Sequence, residues 1–106
     1  MSVAVAWDWK PVGRAADVPP LEGRSVTVSG RRIAVFRLAG GWAAIDATCP
    51  HRGGPLQDGL VADSCVTCPL HNHRFDLVSG ERHGGGEGVA VHEVEERDGT
   101  LWVRLA

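Results

Sequence analysis

The pattern that most restricts this chain is the pair Cys49-Pro50-His51 and Cys68-Pro69-Leu70-His71, with sixteen residues between the two halves. Each half offers one sulfur and one imidazole nitrogen two or three residues apart, which a tight loop can present together. A chain that uses this pattern must hold two loops side by side. Pro50 and Pro69 keep both segments out of helices.

The flanks say what supports the loops. From Arg24 to Asp46 the apolar residues Val26, Val28, Ile33, Val35, Phe36, Leu38, Trp42, Ala44 and Ile45 are broken at Ser29-Gly30 and Gly40-Gly41. That texture predicts antiparallel hairpins. It returns at Val89, Val91 and Val94, then Leu101, Val103 and Leu105, with a turn at Asp98-Gly99. No window sustains helical spacing, and a short helical turn near Ala15 to Val18 is the most that is expected. Between the β blocks, Cys49 to Gly88 is rich in Gly, Pro, His and Cys, with short β-like pieces near 59–61, 65–68 and 74–77. The expectation is an all-β chain, one domain over 1–106, with an insertion at about 47–88 that carries the chemistry. Its 106 residues, 43% hydrophobic, suffice for one core and not two.

Composition removes several classes of function. Eleven basic and thirteen acidic side chains give a formal charge of -2, without the basic stripe that a nucleic acid requires. No apolar stretch approaches the roughly 20 residues of a membrane-spanning helix. The N-terminal run lacks a basic start and meets Asp8 at once, so cytoplasm is the expected compartment. Three cysteines, two of them beside histidines, favour metal binding over disulfides in a reducing compartment.

Two metal readings compete for the four residues. Cys65 and Cys68 alone fit half of a zinc site. Zinc gives no reason for Cys-x-His as one half, nor for the Gly-Pro-Leu and Phe-Asp flanks. A two-iron cluster with mixed ligation places both thiolates on one iron and both imidazoles on the other. Two ferric ions, two sulfides and two thiolates sum to zero charge when the imidazoles are neutral. Such a site accepts an electron more readily than an all-cysteine one, at roughly -150 to +300 mV.

The segments Cys49-Pro50-His51-Arg52-Gly53-Gly54-Pro55-Leu56 and Cys68-Pro69-Leu70-His71-Asn72-His73-Arg74-Phe75-Asp76 resemble the two cluster-binding boxes of Rieske proteins. The resemblance implies an antiparallel β-sandwich base with a small cluster-binding subdomain. It also implies a [2Fe-2S] cluster on Cys49, His51, Cys68 and His71, and one-electron transfer as the function. The extra box cysteines that form a clamping disulfide in cytochrome bc-type members are absent here, and the chain has no tyrosine to donate to a cluster sulfur. Fewer donors imply a low potential.

Residues 68–77 with Ser79-Gly80, and the stretch 86–94, look most like the small subunit of NAD(P)H-dependent assimilatory nitrite reductase. That resemblance implies a large siroheme-type partner. The alternative is the ferredoxin of an aromatic-ring-hydroxylating dioxygenase system, whose partners are a ferredoxin reductase and the dioxygenase. A non-redox scaffold subunit is the third reading, and the complete ligand set speaks against it. With no phosphate-binding loop and no room for a substrate pocket, the chain is not expected to be catalytic alone.

The remaining candidates have plainer expectations. Cys65 reads as a small buried hydrophobe, with a redox or sulfur-contact role as the alternative. His83 and His92 read as solvated or hydrogen-bonded. Gly84 to Gly86 form either a flexible loop or one that covers the cluster. Arg52, His73 and Arg74 are placed to make a basic collar for an acidic partner.

Overall fold

The computed structural model describes residues 9–49, 55–70 and 72–106. In chain order its strands are β1 (Trp9–Arg14), β2 (Gly23–Val28), β3 (Arg31–Leu38), β4 (Gly41–Asp46), β5 (Leu60–Ala62), β6 (Cys65–Thr67), β7 (Arg74–Asp76), β8 (Val91–Arg97) and β9 (Thr100–Arg104). A six-stranded sheet runs β1-β9-β8-β4-β3-β2, and a three-stranded sheet runs β5-β6-β7. Every pairing is antiparallel. The expected helical turn is a single 3-10 turn at Ala15–Asp17, and another spans Leu56–Asp58.

Local sequence explains the hairpins. Ser29 and Gly30 take φ of 50° and 80°, and Asp98 and Gly99 take 51° and 83°. Two positive φ values match the twist of paired strands. Asp63 and Ser64 make the corresponding turn between β5 and β6 without glycine, at 52° and 60°. The turn before β4 lies at Ala39-Gly40, so Gly41 already belongs to the strand. β8 starts at Val91 and not at Val89, whose N–H donates to the Gly80 carbonyl (2.9 Å). β1 is the strand the sequence hides. Pro11 cannot donate to a ladder, which an edge strand tolerates, and the register with β9 shifts between Pro11 and Gly13.

Two apolar cores flank β3 and β4. Ile33, Val35 and Ala44 face one core with Val28, Leu101 and Val103, and Val12, Val26 and Val94 pack at its edge. These residues come from both ends of the six-stranded sheet, which therefore folds back on itself. Ala34, Phe36, Ala43 and Ile45 face the other core, with Leu56, Val66, Phe75 and Leu77 from the small sheet and its loops. Burial on both faces explains why Ile33-Ala34-Val35-Phe36 reads as an unbroken apolar run. His92, whose side chain has no exposed surface, joins Asp46 through Nε2 (2.8 Å) and accepts the Ala106 N–H at Nδ1 (3.0 Å). This is the hydrogen-bonded histidine the sequence suggests.

Candidate metal centre

Two loops emerge where the small sheet meets β4. The first is closed at its base by the Leu56 N–H donating to the Ala47 carbonyl (2.9 Å) and by an antiparallel bridge between Thr48 and Pro55. The second is closed by the Cys68 N–H donating to the His73 carbonyl (2.7 Å) and the Asn72 N–H donating to the Cys68 carbonyl (3.0 Å). Asn72 has φ of 58°, a left-handed conformation that asparagine tolerates better than most residues. Gly59 allows the close packing below: a Cβ there would lie 2.4 Å from the Thr67 carbonyl oxygen.

Cys49 and Cys68 stand at these two bases. Neither has any exposed surface, and both belong to the core cluster that holds Ala47, Leu56, Val66 and Phe75. Residues 47–49 extend from β4, while Cys68 directly follows β6 and is buried with Val66 of that strand. The fold thus draws two thiols, nineteen positions apart in sequence, into one apolar environment. That donor set suits the sulfur half of an iron-sulfur site, where exclusion of water protects the thiolate bonds. His51 and His71, the expected nitrogen half, lie outside the described residues.

The neighbouring candidates separate clearly. Arg74 is exposed and His73 half-buried beside the second loop, while Arg52 lies outside the described residues. Leu70 is 57% exposed. Gly84, Gly85 and Gly86 have φ of 87°, 90° and 102°, so glycine is required there by conformation. A Cβ on Gly84 or Gly85 would meet no described atom within 4 Å.

Cys65 has the burial expected of it and also the sulfur contact that was the alternative. It is buried, yet it belongs to neither apolar core, and its Sγ lies 3.4 Å from the His83 Nε2. Asp76 completes a group that sequence reading missed. Only the register of β6 with β7 reveals it, because Cys65 and Asp76 are opposed across that pair.

The Rieske [2Fe-2S] domain family matches this chain over residues 8–95. The chain belongs to the Rieske family. It is similar to the anthranilate 1,2-dioxygenase ferredoxin subunit of Burkholderia cepacia, at 32% identity over 99% of both chains. It is also similar to cholesterol 7-desaturase nvd 1 of Ciona intestinalis, at 39% identity over 78% of this chain and 17% of that protein. The chain thus spans about a sixth of that relative's length. Among solved structures, a candidate nitrite reductase NADPH small subunit superimposes with a TM-score of 0.84 at 25% identity, covering 92% of this chain and 98% of that one.

Membership fixes the cofactor as a [2Fe-2S] cluster and the activity as Rieske-type electron transfer. The all-β architecture expected for the family is the one observed. Among the described residues no helix is long and apolar enough to cross a membrane.

Proposed function

We propose that Cys49 and Cys68 hold one iron and His51 and His71 the other, and that the protein serves as the electron-transfer small subunit of an NAD(P)H-dependent nitrite reductase. The observation that carries the ligand assignment is the complete burial of Cys49 and Cys68 in one apolar cluster at the bases of two loops. When bound, the cluster takes up and releases one electron. The chain supplies a dry sulfur side, and the two histidines make the end through which electrons leave. Leu70 and Arg74, exposed beside the second loop, offer a partner an apolar and a cationic contact. With no tyrosine available to donate to a sulfur, the potential falls toward the lower bound of about -150 mV.

The choice of partner is supported by the resemblance over residues 68–77, Ser79-Gly80 and 86–94 and by the likeness, nearly end to end, to a candidate nitrite reductase small subunit. A second reading, the ferredoxin of a ring-hydroxylating dioxygenase, is favoured by the 32% identity to such a subunit over almost the whole of both chains. Stopped-flow oxidation of the reduced protein separates them. Rapid oxidation by a siroheme-type large subunit with nitrite, and none by an oxygenase, is the expected result. The opposite preference replaces the first reading with the second. Anaerobic EPR tests the ligand set itself, since mixed His and Cys ligation lowers the average g below that of all-cysteine clusters.

A further inference from the structure

The strongest unassigned feature is the polar group on the outer face of the small sheet. Cys65 opposes Asp76 across β6 and β7, and beyond β7 the chain returns with Arg82 bridged to Phe75. The His83 N–H donates to the Arg74 carbonyl (2.9 Å). Alternation along each strand then sets Cys65, Asp76 and His83 on one face, while Val66, Cys68 and Phe75 turn to the core with Cys49. The Cys65 sulfur, a carboxylate oxygen of Asp76 and an imidazole nitrogen of His83 all lie within 4.8 Å of one another.

We infer that Cys65 Sγ, His83 Nε2 and Asp76 Oδ2 form a second, mononuclear site for a divalent cation of the zinc type, separate from the iron-sulfur site. The spacing fits. Zinc bonds of about 2.3 Å to sulfur and 2.0–2.1 Å to nitrogen at a tetrahedral angle put those two atoms about 3.6 Å apart. Cys65 Sγ and His83 Nε2 already stand at 3.4 Å. A carboxylate oxygen of Asp76 lies within 4.8 Å of both.

Each donor is prepared for that role. Asp76 Oδ1 accepts the N–H groups of Val78 (2.7 Å) and Ser79 (2.9 Å), which orients the carboxylate and leaves Oδ2 to a metal. The Ser79 and then the Val78 N–H hold this carboxyl below its ordinary pKa, burial opposes them, and the nearby His83 adds to the lowering. The group is therefore ionised at neutral pH. Cys65 is buried beside these polar groups and not within an apolar core, and exposed His83 gives the ion a path from solvent.

One sulfur, one nitrogen and one oxygen match the mixed ligand preference of zinc and leave a fourth position to water or a partner. Binding exchanges the Cys65 thiol proton, released to solvent, for a metal-sulfur bond. The ion would tie β6, which leads into Cys68, to the segment that opens the Gly84 to Gly86 run.

The test uses protein with its iron-sulfur cluster intact, equilibrated with micromolar zinc chloride and then desalted. Metal analysis is expected to find about one zinc per chain with the iron content unchanged. Zinc K-edge absorption is expected to show a single sulfur at about 2.3 Å. Cys65→Ser and His83→Ala should each abolish retention, and Asp76→Asn, which keeps the acceptor for the turn, should weaken binding at least about tenfold. If Cys65→Ser does not fold, the surface variant His83→Ala alone decides. The inference is overturned if no zinc is retained. It is equally overturned if zinc enters with two sulfurs and loss of iron, or if His83→Ala retains it unchanged.

Discussion

The six-stranded sheet and the small three-stranded sheet obtain their order from different sources. The large sheet has strands of up to eight residues, an apolar core between its two ends, and turns encoded by adjacent pairs such as Ser29-Gly30 and Asp98-Gly99. The strands of the small sheet are three residues each. Val66 and Phe75 of its inner face are buried in one core with Phe36 and Ile45 of the larger sheet. The large sheet is therefore a platform, and the small one shares its core. The two buried thiols draw on both parts, since Cys49 follows β4 of the platform and Cys68 follows β6 of the small sheet.

That comparison breaks or sharpens under substitution. The largest effect is expected from Cys68→Ser: the cluster is lost, seen as disappearance of its visible absorption and EPR signal, while circular dichroism of the large sheet persists. Collapse of the whole β signal would show instead that the platform is not independent. His71→Ala should likewise abolish the cluster and His73→Ala should spare it, and the reverse result overturns the ligand set.

Phe75→Ala comes next. It empties a fully buried site between the sheets and should cost about 3–5 kcal/mol in chemical denaturation, with faster iron loss. A finer contrast sets Ile45→Val against Ile33→Val, the same change on opposite walls of the β3-β4 pair. Each should cost about 0.5–1.5 kcal/mol. Only the Ile45 variant should shorten the lifetime of the cluster in a chelator challenge, because Ile33 faces the core remote from the loops. Equal lifetimes would mean that the two cores act as one. The smallest effect belongs to Arg104→Ala, which removes a cross-strand ion pair with Glu93 at the surface and should shift stability by about 0–1 kcal/mol, with no change in cluster content.

Much of this was legible in the chain itself. The hairpin turns could be read because two adjacent residues determine them, and the cluster boxes because Cys-x-His and Cys-x2-His are local spacings. β1 escaped because Pro11 reads as a breaker, and only its place at the edge of the sheet, beside β9, makes it tolerable. The partners of Cys65 escaped for a related reason. In a strand its side chain faces away from Val66 and Cys68, which sequence shows, but what it faces depends on the strand beside it.

By itself, then, the sequence determined the β class, the turns at Ser29-Gly30 and Asp98-Gly99, the two boxes and hence the family, all of which rest on residues within a few positions of each other. The tertiary structure decided which distant residues meet. It brought Cys49 and Cys68 into one dry core and set Cys65, Asp76 and His83 on a single outer face. The reason is physical: strand pairing fixes register and parity through hydrogen bonds between segments far apart in the chain. A shift of one residue would turn every side chain to the other face.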